Sequence, residues 1–407
     1  MKTVFTSAVT LALIAGTGLT APLAAKGSDS ATTLQSSSTQ RSGTDAFARF
    51  TPAADRKNHR IDYTHWDEAL EWFVIPMGPS IREAPATVTP ELGTRIVYGH
   101  RSRYRLEGNR VAFSFLNGDI KTALTEYRQD LERVGSELDI ARLPRNEQLA
   151  FWINLHNVAV IEALANEYPM RQPSEREFGS NNATLQDAKL VTISGVSLSP
   201  RDIREKIVYP NWSDPRVIYA FWRGEIGGPS IQRLAYTGAN VGTLLSLNAE
   251  EFVNSLRGVD SYSGALRVSR LYEEAKPFYF ANDDELKAHL LKFARDDVKE
   301  LIRERPRVRY ATYERDIADM LLGRGDPGLT FSCNADNSGL PLSSGAADLD
   351  PAGTCKDIPV ITNRAAQRLM VERAQKLNKA YRRGIRTGTV TFDDPELRPG
   401  AAPKEVE

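Results

Sequence analysis

The chain has 407 residues, and its 52 lysine and arginine residues equal its 52 aspartate and glutamate residues in number. This length allows one large domain or two ordinary ones, with a real hydrophobic core in either case. The balanced charge excludes a global positive field of the kind that draws a protein to nucleic acid or anionic lipid, so no nucleic-acid partner is expected.

The first residues have the pattern of a secretory signal peptide. Lys2 is followed by an apolar run over 8–15 and by small residues over 21–25. We expect residues 1–25 to be removed, which predicts a periplasmic or secreted protein with no transmembrane segment after cleavage. The alternative is an uncleaved anchor helix, but glycines and a proline interrupt a stretch that is already short for a bilayer.

A flexible linker and a first structured region are predicted next. Residues 26–45 are rich in serine and threonine and lack aromatic side chains, which is typical of a linker. Over 46–119 we expect helical and strand elements. Trp66 and Phe73 fall on one apolar stripe at helical spacing, while Val111–Phe115 alternates in polarity as a half-buried strand does.

The middle of the chain, over 120–320, has the patterns of a core domain. Helical periodicity over 120–134 and 146–168 predicts two helices, the second of which is apolar nearly all round and must therefore be central. Further amphipathic helices are expected between 248 and 304. Helices therefore dominate the prediction.

Short β-prone stretches complete the predicted fold. Leu190–Ile193 indicates a strand that is followed by a turn at Gly195 and by a helix that Ser199 caps. Val217–Phe221 is a second β-prone stretch. Together with Val111–Phe115, they predict a small mixed or antiparallel sheet. The expected fold class is α+β, mostly helical.

Residues 321–392 are predicted to hold a disulfide loop and a basic helix. Cys333 and Cys355 are the two cysteines, and in an exported protein such a pair indicates a disulfide, which contributes about 3 kcal/mol by closing its loop. The alternative is a nucleophilic thiol, but neither cysteine precedes the electropositive helical sequence that would lower its pKa. The helix over 363–383 carries seven basic residues; these form either a solvated face or a contact with an anionic partner. Residues 393–407 are expected to form a flexible tail.

The common catalytic and metal-binding signatures do not occur in this sequence. There is no G-x-S-x-G, G-x-x-x-x-G-K-[ST] or H-E-x-x-H string, and the five histidines lie too far apart for paired metal ligation. Residues 334–339 faintly resemble a calcium loop, but Gly345 stands where its glutamate should lie. We therefore predict no metal site and no cofactor.

The central helix contains polar side chains that need an explanation. In RNEQLAFWINLHNVAV, residues 145–160, Asn154, His156 and Asn157 interrupt an apolar run. Burying an unpaired amide costs about 1–3 kcal/mol, so each group must have a partner. Either the amides hold the backbone of neighbouring loops, or they line a cleft against the AFWRGEIGGPS turn that follows residue 219.

Several strings in this region resemble a known family. LPRNEQLAFWINLHNVAVIEAL, VSLSPRDIREKIVYP, DPRVIYAFWRGEIGGPSI, AYTGANV and EFVNS occur in the order and spacing of the domain of unknown function 547. The resemblance covers Ile120 to Arg315, and the string R-N-E-Q-L-A-F-W-I-N-L-x-N is highly specific to this family. It implies no established activity.

The departures from the family pattern bear on function. Where the family usually has two histidines and two cysteines, this chain has Glu205, Ile218, Arg223 and Gly228. An aspartate–tryptophan pair near the end of the domain is replaced as well, by Glu314 and Arg315. If the family's cysteines and histidines form a thiol-based site, this member cannot use that chemistry.

Two functions from different classes follow from the resemblance. The leading expectation is a non-catalytic exported domain that binds a small anionic ligand or a cell-envelope partner. In that case Arg223 either binds the anion or pairs with an internal carboxylate such as Glu225 or Glu147. The alternative is a periplasmic hydrolase or transferase that uses glutamate and histidine as acid and base, so enzymatic activity stays open. The candidate cleft residues are Glu147, Trp152, Asn154, His156, Asn157, Glu205, Arg223 and Glu225.

Overall fold

Helices predominate in the computed structural model, which describes residues 46–54, 57–90, 92–93, 98–325, 329–332, 358–385 and 405–406. Within these residues the strands form small sheets of two or three strands each. The fold class is therefore α+β and mostly helical, as predicted. Residues 1–25, Cys333 and Cys355, and the calcium-like loop at 334–339 lie outside the described residues. In the part that is described, no helix is long and apolar enough to cross a membrane.

The described helices follow one another along the chain as α1 Thr64–Phe73, α2 Gly118–Glu137, α3 Arg145–Glu167, α4 Pro200–Asp202 continued by a π-helical stretch Ile203–Val208, α5 Val241–Val253, α6 Leu271–Tyr279, α7 Asp283–Phe293, α8 Asp296–Glu304 and α9 Arg364–Arg382. The two helices predicted over 120–134 and 146–168 are confirmed as α2 and α3. The Ser199 cap is confirmed too, since the Ser199 hydroxyl group accepts the Asp202 N–H and the Asp202 carboxylate accepts the Ser199 N–H.

The described strands are β1 Val74–Ile75, β2 Arg110–Val111, β3 Val191–Ile193, β4 Val196–Leu198, β5 Val259–Tyr262, β6 Ala265–Ser269, β7 Val308–Thr312, β8 Leu329–Ser332 and β9 Ile358–Ile361. The pairs β1–β2, β3–β4, β5–β6 and β8–β9 are antiparallel, and β7 pairs with β6 in parallel. The predicted strand and turn at 190–195 are confirmed. Ser194 and Gly195 both have positive φ, as a two-residue hairpin turn requires.

The strand predicted over Val111–Phe115 is wrong beyond its first residue. Phe113–Phe115 forms a 3₁₀ turn, in which Phe113 is buried and stacks on Trp222 with ring centroids 6.2 Å apart. The chain then enters α2 at once, because the Asn117 side chain accepts the Ile120 N–H and caps that helix. The alternating pattern therefore marks a turn that leads into a helix.

The strand predicted over Val217–Phe221 is also wrong. Pro215–Tyr219 is a 3₁₀ helix, which begins where the Asp214 carboxylate accepts the Arg216 N–H at 2.8 Å and where proline fixes φ. Val217 and Tyr219 are completely buried. A short apolar run that is buried on all sides carries no periodicity that separates a strand from a helix.

Helix α3 runs through the middle of the hydrophobic core. Nearly all of its residues are buried, from Asn146 to Ala165. Helix α2 approaches it closely at Gly135, where a Cβ atom would lie 2.6 Å from the Phe151 ring. The segment that looked central in sequence is therefore the helix around which α2, α4 and α5 are arranged.

The basic helix is confirmed as α9, but its cations do not form a simple solvated face. Lys376 is buried, and its ammonium group donates to the carbonyl oxygens of Gly78 and Leu106 at 3.1 and 2.7 Å. Glu372 pairs with the buried Arg105 at 2.8 Å. Much of the positive charge of α9 therefore holds the helix on its own chain.

Candidate functional site

The two asparagines of α3 each hold one neighbouring loop. The Asn154 amide donates to the Tyr236 carbonyl at 2.7 Å and accepts the Tyr236 N–H at 3.0 Å. The Asn157 amide donates to the Ala220 carbonyl and accepts the Trp222 N–H, both at 3.0 Å. The prediction that these amides satisfy loop backbone is confirmed, and the turn after residue 219 does face α3.

His156 joins the Asn157 amide to a buried arginine. Its Nδ1 lies 3.0 Å from the Asn157 side-chain oxygen, and its Nε2 lies 2.9 Å from Nη1 of Arg204. Because a guanidinium group can only donate, Nε2 accepts and Nδ1 carries the proton. Burial, and then the charges of Arg204 and Arg223, hold the pKa of His156 well below its usual range. The imidazole is therefore neutral and connects the central helix to Arg204.

Arg204 and Arg223 share one carboxylate, that of Glu274 on α6. Arg223 binds it through both terminal nitrogens, at 3.0 and 2.7 Å, and Nε of Arg204 approaches it at 3.1 Å. The side chains of Arg204 and Arg223 are 0% and 5% exposed, whereas that of Glu274 is 22% exposed. The carboxylate therefore sits between two buried cations and the solvent.

The charges in this Arg204–Glu274–Arg223 cluster do not balance. Burial alone would raise the pKa of Glu274, but the two guanidinium groups outweigh burial and hold that pKa far below its ordinary value. Two positive charges thus face one negative charge. In addition, Nη2 of Arg204 and Nε of Arg223 are buried and have no hydrogen-bond partner among the residues that the structure describes. The cluster keeps spare positive charge and spare donors.

The sequence did not identify Glu274. We predicted as one alternative that Arg223 pairs with an internal carboxylate such as Glu225 or Glu147. It does pair internally, but the carboxylate it binds is Glu274, while Glu225 interacts with it only electrostatically. Glu274 is 51 positions further along the chain, on a helix whose pattern carries no functional signal. A close examination of α6 could have raised it as a candidate, because it is a glutamate beside the buried stripe of Leu271, Tyr272 and Ala275.

Glu225 belongs to a second polar contact, which adjoins the cluster through Arg223. A hydrogen bond joins its carboxyl group to the Tyr313 phenol, and burial raises the pKa of Glu225 to about 7. The turn is held against this part of the chain by backbone bonds of 2.9 Å from Ile226 to Asp316 and 2.8 Å from Gly227 to Glu314. The stretch at 313–316 therefore lies directly against the turn that carries Arg223 and Glu225.

Positions 223 and 228 lie next to each other. A Cβ atom at Gly228 would be 2.9 Å from Cβ of Arg223 and 3.0 Å from its Cγ. Two side chains at these positions would therefore touch each other.

Three other candidates are not part of the cluster. Glu147 lies in the first turn of α3, where burial raises its pKa and backbone N–H groups of Ile61 and Gly238 contact it. Trp152 packs edge-on against Phe50 at 5.1 Å. Glu205 pairs with Arg201 at 3.3 Å and is partly exposed. Within the described ranges, no three histidine, cysteine or acidic side chains gather to hold a metal ion.

These features define an α+β, mostly helical protein whose polar site is built on a buried central helix. Residues 140–253, just over a quarter of the chain, match the model of the family described as "Protein of unknown function, DUF547". The matching segment is similar to this family and contains α3, Arg204 and the turn with Arg223, but not Glu274. No curated protein and no solved structure matches the chain.

Proposed function

We propose that this protein is a non-catalytic binding domain that takes a small anionic ligand, or an anionic group of a cell-envelope partner, at Arg204 and Arg223. The observation that supports the proposal is the excess of positive charge in the cluster, together with its two unpartnered donors. A buried cation without full compensation is costly, so binding an anion there is favourable.

Glu274 acts in this proposal as an internal substitute for the ligand. Arg223 donates two parallel hydrogen bonds to the Glu274 carboxylate, and this bidentate geometry suits carboxylate and phosphate groups. The partial exposure of Glu274 gives a competing anion access to the same donors. The ligand is therefore a compact carboxylate or phosphate that displaces or joins Glu274.

A nucleophilic thiol mechanism is not proposed for this chain. Arg223 and Gly228 stand where the resemblance places the family's cysteines, and a guanidinium group is always charged and cannot act as a nucleophile. The departures from the family pattern themselves remain a prediction from the resemblance.

We further propose that the protein is exported and that Cys333 and Cys355 form a disulfide. Export would place the cysteines in an oxidising compartment, where such a pair forms and persists. Mass spectrometry of the non-reduced periplasmic or secreted protein should show one linked peptide pair and a new N-terminus near residue 26. Two alkylatable thiols would contradict the disulfide, whatever the location.

A second candidate function rests on Glu225. Its contact with Tyr313 and a pKa of about 7 suit a general acid or base of a hydrolase or transferase. His156 is less suited to this role, because it is fully buried and both of its ring nitrogens are already hydrogen-bonded. This alternative predicts hydrolysis that Glu225→Gln abolishes.

The test compares thermal stability in the presence of anions. Phosphate, sulfate and small dicarboxylates should raise the melting temperature of the wild type by a few degrees, and Arg223→Ala should lose that shift. Arg133→Ala is the matched control, because it removes an arginine of α2 whose side chain is 57% exposed and pairs with Asp130 and Glu137, away from the cluster. Its anion response should stay normal.

The same samples separate the two functions and the two ligand sources. Ester, amide and glycoside substrates are offered to the wild type and to Glu225→Gln. Hydrolysis that is lost in the variant would replace the binding proposal with the enzymatic one. Cosedimentation with phosphatidylglycerol vesicles that depends on Arg223 would identify a lipid headgroup, while a shift with free anions alone would identify a soluble ligand. No anion response in the wild type would reject the binding site.

A further inference from the structure

A second contact site lies at the beginning of α3, about three turns before His156. Val406 is 3% exposed there, and its backbone N–H donates to the Asn146 side-chain oxygen at 2.8 Å. Asn146 and His156 are ten residues apart, which corresponds to about 15 Å along a helix. This contact is therefore separate from the Arg204–Glu274–Arg223 cluster.

The groove that receives Val406 is built from three elements. Asn146 in the first turn of α3 is held by its own bond to the Gly238 carbonyl at 3.0 Å, so its side-chain oxygen points in a fixed direction. Gly242 in the first turn of α5 borders the valine, since a Cβ atom there would lie 3.9 Å from a Val406 methyl group. The valine joins the main hydrophobic core through this gap.

The groove and its occupant come from different parts of the chain. Asn146, Gly238 and Gly242 all lie within residues 140–253, the segment that matches the family, whereas Val406 lies far beyond it. The contact combines recognition of a backbone N–H with a pocket for one side chain. These are the two components by which proteins recognise extended peptides.

We propose that this groove is a peptide-binding site for an extended segment with a valine-sized apolar residue, and that residues 405–406 of this chain occupy it in cis. The site is independent of the anion-binding proposal. Residues 405–406 are tethered to the groove and are therefore always present at high local concentration. A separate peptide with the same sequence has to compete with them, and it binds well only when they have been released from the groove.

The test uses the full chain and a fluorescein-labelled peptide with the sequence of residues 401–407, AAPKEVE. Val406→Asp should release the chain's own segment, because a carboxylate is costly to bury in an apolar gap. Fluorescence polarisation should then show at least tenfold tighter peptide binding to Val406→Asp than to the wild type. Val371→Asp is the matched control, because it makes the same change at an exposed valine of α9 and should behave as the wild type.

The peptide itself provides the second control. A peptide with aspartate in place of its valine should lose binding to Val406→Asp chains, and Asn146→Leu in that background should weaken binding of the normal peptide. If Val406→Asp does not fold, Val406→Ala replaces it, with a smaller gain expected. Equal binding of the two peptides, equal binding to wild type and variant, or no binding to the folded variant would overturn the proposal.

Discussion

Glu274→Gln is expected to lower the free energy of unfolding by about 3–5 kcal/mol. The substitution removes the carboxylate that Arg204 and Arg223 share, and it leaves two guanidinium groups buried and close together without compensation. Removing one partner of a buried ion pair typically has a cost of this size, because the remaining charge stays desolvated. Urea denaturation of the wild type and the variant gives the difference directly.

The adjacent glutamate of the same helix provides the control. Glu273 is 57% exposed and pairs with Arg270 at 3.5 Å, so Glu273→Gln should change the free energy of unfolding by less than about 1 kcal/mol. Similar losses in both variants would mean that the effect belongs to the helix rather than to the cluster.

The pH dependence of the Glu274→Gln effect has a definite sign. The folded state holds the pKa of Glu274 below its ordinary value, so the carboxylate contributes its stabilisation fully above the unfolded pKa of about 4.3. That contribution is lost as the pH falls toward the lowered pKa. The difference between wild type and variant should therefore stay constant from pH 6 to 8 and shrink below about pH 4.

The same variant tests whether Glu274 takes the place of a ligand. If it does, phosphate or sulfate should stabilise Glu274→Gln more than the wild type, because the variant has lost its internal competitor. The double variant Glu274→Gln, Arg223→Ala should lose this response. If Glu274→Gln is destabilised and no anion stabilises it, the cluster has only a structural role.

The elements that sequence patterns predicted correctly are those with a clear period or a specific terminal signal. Helix α3 is long and strongly patterned, and the hairpin at Gly195 is defined by its turn and by the Ser199 cap. Val217–Phe221 gave the wrong element because five consecutive apolar residues look the same in a buried strand and a buried 3₁₀ helix. The information that decides between them is the proline at 215 and the aspartate before it.

The site was predictable only where burial itself demanded a partner. Amides at 154 and 157 in an apolar helix had to be satisfied, and the identity of the acceptors as loop backbone follows from that requirement. Arg223 likewise required a carboxylate or a ligand. Which carboxylate it binds depends on how α6 packs, and the only local sign of this long-range contact is that Glu274 stands beside a buried stripe of its helix.

Asn157→Leu is expected to be more destabilising than Asn154→Leu, and both more than Asn166→Leu. Asn154→Leu strands the N–H and the carbonyl group of Tyr236, at about 1–3 kcal/mol for each group that stays unpaired. Asn157→Leu strands the Ala220 carbonyl and the Trp222 N–H, and also Nδ1 of His156.

The ranking follows from the number of buried groups that lose a partner, which is two for Asn154 and three for Asn157. Asn166 is on the same helix but exposed, so its replacement makes the same chemical change without stranding a buried group. Urea denaturation of the three variants should give losses in that order, with Asn166→Leu within about 0.5 kcal/mol of the wild type. Unchanged stability of Asn154→Leu and Asn157→Leu would mean that these amides can be removed from the fold without cost. That result would contradict a structural role for the two amides and would make ligand binding the role to test for them.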